Sequence, residues 1–260
     1  MGTLIDIVQL DDCAVVRLNR PEKKNALNRL ARRELLAALL SLRDRRAIIL
    51  TGAGDSFCSG VDLKEVKTAA DADVPPDPQS DWIEVLLAIR EHPAVCIAAV
   101  NGFALGGGAT LISVCDLAIA ADEAEIGMPE IGFGVYPQFS GPGAQMQLTA
   151  KRAAWLILTA ERVDGRTAEM WGMVNRSVPR AELMQVATSI GKKLGEYDAV
   201  ALSESKHALD VVPASISDWR QAFVHGMSTN ARIRAASDAQ QEGFSRFASG
   251  LRNPGQGRLP

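Results

Sequence analysis

The residues best placed to do chemistry are Ala104-Leu105-Gly106-Gly107-Gly108-Ala109-Thr110, entered from the apolar run Val95-Cys96-Ile97-Ala98-Ala99-Val100. A buried strand breaks at Asn101-Gly102, and three consecutive glycines then stand where a helix starts. Each glycine in a helix costs about 1 kcal/mol relative to alanine, so so loose a join needs a reason. The usual reason is close approach of a ligand to the backbone. At a helix N-terminus the N–H groups point outward and the dipole favours negative charge, which suits an anion or a developing oxyanion. No lysine follows the glycines and their spacing is not G-x-G-x-x-G, so neither nucleotide-binding motif applies. His92, His207 and His225 share no motif with a nucleophile, and Ser203 and Ser205 have no acidic partner at triad spacing. Cys13, Cys58, Cys96 and Cys115 form no C-x-x-C pair and show no metal spacing; they read as reduced thiols packed as small hydrophobes. No metal is expected.

The elements that hold this segment follow from composition and pattern. A chain of 260 residues, 47% hydrophobic, can bury a large core in one domain with a helical extension. Its formal net charge of −3 gives no support for nucleic-acid binding. The N-terminal Met1-Gly2-Thr3-Leu4-Ile5-Asp6 lacks a basic region followed by a long apolar run, so a cytoplasmic location is expected. Pro93 to Cys115 carries no charge and mimics a membrane span. Its glycines and Asn101 argue instead for a buried strand followed by a buried helix, and no membrane partner is expected.

Strands are predicted over Cys13–Leu18, Ala47–Leu50, Val95–Val100 and Asp116–Ala120. A helix over Leu27–Leu42 has Asn28 as its N-cap, another starts near Val61, and a third covers Trp82–Arg90. Ala70–Ser80 reads as an exposed loop, as does Asn253–Pro260. Alternating strands and helices imply βαβ units and a parallel sheet, an α/β fold. Beyond Pro142 the pattern is helical: Lys151–Ala160, Arg166–Trp171, Ala181–Glu196, Ala199–Leu209 and Ser217–Phe247. We divide the chain into a core over 1–195 and a helical region over 196–260, a lid or oligomer contact.

Several blocks occur in a telling order: Asn19-Arg20-Pro21-Glu22-Lys23-Lys24-Asn25-Ala26-Leu27, Leu50-Thr51-Gly52-Ala53-Gly54, Phe57-Cys58-Ser59-Gly60-Val61-Asp62-Leu63-Lys64-Glu65 and the glycine segment. Behind them come Cys115-Asp116-Leu117-Ala118, Pro129-Glu130-Ile131-Gly132 and Gly172-Met173-Val174-Asn175 with Val178-Pro179. Over residues 4 to 250 the chain closely resembles the enoyl-CoA hydratase/isomerase (crotonase) family. That resemblance implies a spiral of ββα turns with a C-terminal helical region that assembles trimers, or dimers of trimers. It also implies an acyl-CoA thioester as substrate, with CoA as part of the substrate and no separate cofactor.

By motif position, the thioester oxygen would lie between the backbone N–H groups of Val61 and Gly107, flanked by Ser59, Gly60 and Gly106. Such donors stabilise an enolate more than the starting carbonyl, and losing one typically costs on the order of 3 kcal/mol. Glu130 stands where the family carries an acid–base glutamate, among Ile126, Met128, Ile131 and Phe133, an apolar setting suited to a proton-transferring carboxyl. The family's other glutamate position, three residues after the middle glycine, is Thr110; its hydroxyl either orients water or bonds back to the preceding turn. Eight residues after Glu130, where hydrolases, dehalogenases and dienoyl isomerases of the family often carry aspartate, stands Gln138. Gln138 and Tyr136 are expected to line the acyl pocket. Lys23 and Lys24 match a segment that meets adenine and phosphates, and Ala26, Asp62 and Leu63 match positions along the CoA arm. Phe244 and Phe247 either close over the nucleotide, from this or a neighbouring subunit, or simply pack.

The resemblance thus implies a lyase of the enoyl-CoA hydratase type with one glutamate as acid and base. Its alternatives are a delta-3 to delta-2 enoyl-CoA isomerase, a hydratase-lyase acting by retro-aldol cleavage, and a CoA-ester-binding protein that has lost chemistry. The hydroxyl at Thr110 is like that of hydroxycinnamoyl-CoA hydratase-lyases, but Val66 replaces the tyrosine that would receive their phenol, which favours an apolar acyl group.

Overall fold

A computed structural model describes residues 3–62, residue 65 and residues 81–249, apart from the side chains of 246–248. Among these residues nine strands form two sheets. The larger has the order β1-β2-β3-β5-β7-β9, with β1 Ile5–Gln9, β2 Cys13–Leu18, β3 Ala47–Gly52, β5 Val95–Val100, β7 Leu117–Ala121 and β9 Arg176–Val178. Only the β1–β2 pair is antiparallel. Every residue of β3 and β5 is buried, which is why both read as continuous apolar runs rather than alternating ones.

The smaller sheet is parallel and has the order β4-β6-β8: Ser56–Cys58, Phe103–Leu105 and Ile126–Gly127. Each of its strands follows one of the long strands after a short turn, so β3-β4, β5-β6 and β7-β8 make three successive turns of a spiral. This is the architecture that the family resemblance implies. A plain parallel sheet, the reading from periodicity alone, omits the second layer, because strands of two or three residues are too short to show a period.

Helix α1 (Arg29–Ser41) is capped by Asn28, whose side chain accepts from Ala31 N at 2.9 Å, as expected. Helix α2 (Asp81–Arg90) buries Trp82, Val85, Leu86 and Ile89 at helical spacing. Helix α3 (Gly107–Val114) starts at the middle glycine and is buried along most of its length. Helix α4 (Ser140–Gln147) was not legible, because Gly141-Pro142-Gly143 reads as a break; the proline stands in the first turn, where its missing N–H costs nothing.

The remaining helices are α5 (Ala150–Thr159), α6 (Gly165–Trp171), α7 (Leu183–Gly195), α8 (Ala199–Ser215), α9 (Trp219–Ala236) and α10 (Ala239–Ala248). The expected single helix over Ser217–Phe247 is two. Ser237 leaves the helical path, and its hydroxyl donates to Asp198 Oδ2 at 2.7 Å. The expected loop over 70–80, the start of a helix near Val61 beyond Asp62, and the tail from 253 lie outside the described residues.

One buried cation fastens the C-terminal helices to the core. Lys206 on α8 is 6% exposed; its ammonium donates to Ile89 O at 3.0 Å and Ala94 O at 3.1 Å and pairs with Asp116 at 2.8 Å. The same aspartate accepts from Cys96 N at 2.7 Å, so one carboxylate joins β5, the start of β7 and α8. Buried His92 completes this corner, with Nε2 2.9 Å from Leu39 O and Nδ1 accepting from Ala94 N; desolvation lowers its pKa. All four cysteines are buried and outside any disulfide, and burial pushes the Cys58 and Cys96 thiols up to about 12. Among the described residues no helix is long and apolar enough to cross a membrane.

Candidate active site

The site is built where the small sheet meets α3. Leu27 forms an isolated parallel bridge with Val61: Leu27 N donates to Gly60 O at 2.8 Å, and Asp62 N donates to Leu27 O at 3.2 Å. In such a bridge the residue between the two bonds turns its own N–H to the opposite side. The Val61 amide therefore faces away from Leu27. Gly106, with φ +51°, occupies a conformation that L side chains rarely adopt, and its N–H donates to Gly127 O at 3.0 Å. That turn starts α3 at Gly107, whose N–H is one of the helix's orphan donors.

The two amides are neighbours. A Cβ placed on Gly60 would lie 3.1 Å from Gly107 N, and one on Gly107 would lie 3.5 Å from Gly60 C, the atom bonded to Val61 N. Among the described residues neither amide has a hydrogen-bond acceptor. Two adjacent, unspent main-chain donors, one of them at a helix start, can hold an oxygen that becomes negative.

Glu130 lies beside them. It sits in a 3₁₀ turn over Pro129–Phe133, and its Oε1 is 3.0 Å from where a Gly106 Cβ would be, with Oε2 at 3.9 Å. Ser140, the first residue of α4, donates from Oγ to Oε1 at 2.9 Å. Oε2 is buried and has no partner among the described residues. Trp82 also lies against Gly107, with Cζ2 3.4 Å from the Gly107 Cβ position and Nε1 buried without a partner among the described residues. Neither Ser140 nor Trp82 was found from sequence: one lies in an apparent helix breaker, the other in an ordinary amphipathic pattern.

The apolar surroundings expected of Glu130 need correction. Ile126 and Met128 are buried, but Ile131 is 42% and Phe133 64% exposed, because the 3₁₀ turn directs the residues after Glu130 outward. Thr110 is buried, and its hydroxyl donates to Gly106 O at 3.1 Å, one turn back. Of its two expected uses, bonding to the preceding turn is the one observed. Tyr136 is half exposed; its hydroxyl donates to Gln145 Oε1 at 3.1 Å and lies against Gly141, next to Ser140. Gln138 is exposed on the same loop.

The segment expected along CoA is ordered by side chains not singled out in the sequence. Asn25, buried at φ +56°, accepts from Arg20 N at 2.9 Å and donates to Ala53 O and Ser56 O at 2.9 and 2.7 Å. Arg20 donates to Ala26 O at 3.1 Å and to Asp62 at 2.7 Å, linking two of the expected positions across half-buried ground. Ser59 joins them: its N–H donates to Lys24 O at 2.9 Å and its Oγ to Lys23 O at 3.3 Å. Lys23 is exposed. The Lys24 ammonium sits 4.2 Å above the Phe103 ring, a cation–π contact. Leu63 and the Phe247 side chain lie outside the described residues, as does Val66, while Phe244 is largely exposed.

Comparison with known proteins gives the family and the fold. A sequence model described as enoyl-CoA hydratase/isomerase matches residues 11–253. The chain is 33% identical over 251 residues to a hydroxycinnamoyl-CoA hydratase-lyase of Pseudomonas fluorescens, covering 91% of this chain and 89% of that protein. It is 36% identical over 214 residues to a short-chain-enoyl-CoA hydratase of Clostridium acetobutylicum, covering 76% and 77%. Its structure superposes on human enoyl coenzyme A hydratase domain-containing protein 3 with a TM-score of 0.88 at 26% identity, covering 96% of this chain and 99% of that one. An enoyl-CoA hydratase from Bacillus anthracis gives 0.86 at 26% identity, covering 95% and 96%. By the match along nearly its whole length, the chain belongs to the enoyl-CoA hydratase/isomerase family and has the crotonase fold.

Proposed function

We propose that the protein is an acyl-CoA-processing enzyme of the hydratase type, adding water across the α,β bond of a 2-enoyl-CoA or removing it. The observation that carries this reading is the pair of unspent amides at Val61 and Gly107 beside the unpartnered Oε2 of Glu130. In the forward direction the thioester oxygen accepts from both amides. Water adds through oxygen to Cβ as its proton passes to Glu130, and the C=C electrons move onto the thioester as an enolate. Glu130 then gives the same proton to Cα, and the carbonyl reforms. The charge on oxygen is largest between these steps, so donors already in place favour the intermediate over the substrate. A carboxyl held next to those donors supplies the proton transfer, worth about a hundredfold or more.

CoA belongs to the substrate in this reading. The Arg20-Asn25-Ser59 framework supports a role for residues 23–26 and 59–62 along its nucleotide arm. Assembly as a trimer or dimer of trimers belongs to the same proposal, supported by the exposed Trp219, Phe223 and Met227 on α9.

A second reading is favoured by one observation. With the Thr110 hydroxyl bonded to Gly106 O, Glu130 is left as a lone proton carrier, which is all that moving a proton from Cα to Cγ requires. Incubation with trans-2-enoyl-CoA and 3-enoyl-CoA in deuterated water separates the two. A hydratase consumes the conjugated thioester absorbance and gives a 3-hydroxyacyl-CoA with deuterium at Cα. An isomerase generates that absorbance from the 3-enoyl substrate and adds no water. CoA esters that bind without turnover or exchange would overturn both in favour of a binding protein.

A further inference from the structure

We propose that Ser140 is a positioning residue that decides which oxygen of Glu130 carries the proton, an inference that rests on the acid–base role proposed above for that glutamate. The two carboxyl oxygens have unlike surroundings. Oε1 is wedged against the Gly106 main chain and accepts the Ser140 hydroxyl at 2.9 Å. Oε2 is shielded from water and has no partner among the described residues. Ser140 is itself 0% exposed, so no bulk water competes for its hydroxyl proton. A proton on Oε1 would reverse that bond and leave the serine's own proton without an acceptor in a dry site, whereas a proton on Oε2 leaves the bond intact. Oε1 is thus kept as the acceptor and Oε2 as the oxygen that takes and returns the proton. The serine also holds the carboxyl plane, since a half-buried glutamate with one bond fewer could rotate away from Gly106.

The rest of the loop keeps the serine where it is. Gly141 N donates to Pro137 O at 2.7 Å, and a Cβ on Gly141 would fall 2.7 Å from the Tyr136 hydroxyl, which is bonded to Gln145 one turn along α4. The first turn of α4, which carries Ser140, is therefore packed against the Tyr136 ring. Its side chain makes the one hydrogen bond given to the Glu130 carboxylate among the described residues.

The test is steady-state turnover of a 2-enoyl-CoA or 3-enoyl-CoA by the parent, Ser140→Ala, Ser140→Thr, Glu130→Gln and the Glu130→Gln/Ser140→Ala double variant. If the serine aims the carboxyl, Ser140→Ala lowers kcat about tenfold or more with KM nearly unchanged, as misplacement of a reacting group does. Ser140→Thr, which keeps the hydroxyl, stays near the parent. In the Glu130→Gln background the alanine substitution changes turnover less than about twofold, since its effect passes through the carboxyl. Parent-like turnover in Ser140→Ala, or the same fractional loss with and without Glu130, overturns the positioning role while leaving the proposed activity standing. Should the alanine variant not fold, Ser140→Cys, similar in size and a weak donor, is held to the same outcomes. A parent that turns over no CoA ester overturns the activity, and this inference with it.

Discussion

The Val61 and Gly107 amides and the Glu130 carboxyl stand side by side, but the chain secures them by opposite means. The amides are held chiefly by main chain, in the Leu27–Val61 bridge, the Gly106–Gly127 bond and the close seat of α3 on β4, with Arg20 bracing the residues beside that bridge. Glu130 is held by a five-residue 3₁₀ turn and one serine hydroxyl, and the residues after it, Ile131, Phe133, Val135 and Tyr136, are exposed. On the proposed activity, the difference matches what each half would meet. A thioester oxygen is the same in every acyl-CoA, so a frame that side-chain replacement cannot easily alter suits it. The acyl group varies, and a loop fixed by a few side chains lets its surroundings change without disturbing the amides.

The largest effect should come from intruding on the main-chain half. A Cβ on Gly108 would lie 2.0 Å from Cys58 O, so Gly108→Ala must drive α3 from β4. The expected cost is about 3 kcal/mol or more, seen in thermal melts and soluble yield. A Gly108→Ala protein that melts with the parent would show that the two halves are equally pliable.

Glu130→Gln addresses the other half. It should leave the melt unchanged and cut turnover about a hundredfold or more. Turnover like the parent's would remove the carboxyl from the chemistry. Arg20→Met lies further out, where Arg20 spans Ala26 O and Asp62. It should raise KM about tenfold, roughly 1.4 kcal/mol of binding, with kcat little changed. A fall in kcat alone would mean that this framework shapes the amides instead. The smallest effect is expected from Thr110→Ala, whose hydroxyl is already spent on Gly106 O. Turnover should stay within about threefold, with about 1 kcal/mol lost from stability. A hundredfold loss would restore Thr110 as a water-orienting residue and make the carboxyl one of two groups in that half.

The same contrast sets what could be read from the amino acids. Strands β2, β3, β5 and β7 and most helices were legible because their burial is continuous or periodic, whereas the edge strands β1, largely unburied, and β9, three residues long, were not; Asn28, Gly106 and Gly107 were legible because caps and glycines mark chain turns. The small sheet escaped because its strands are two or three residues long and gain their pairing only from neighbours distant in sequence. Ser140 escaped for a related reason: its partner is ten residues away across a turn that no local pattern announces. Ile131 and Phe133 misled because apolar residues next in sequence to Glu130 are not next to its carboxyl once a 3₁₀ turn directs them outward.

The most direct measurement is a crystal structure of Glu130→Gln holding an unreacted 2-enoyl-CoA. The account predicts the thioester oxygen about 3 Å from both Val61 N and Gly107 N, with the α and β carbons facing the residue 130 side chain. A thioester oxygen bound elsewhere, or an acyl chain that leaves those amides open to solvent, would contradict it.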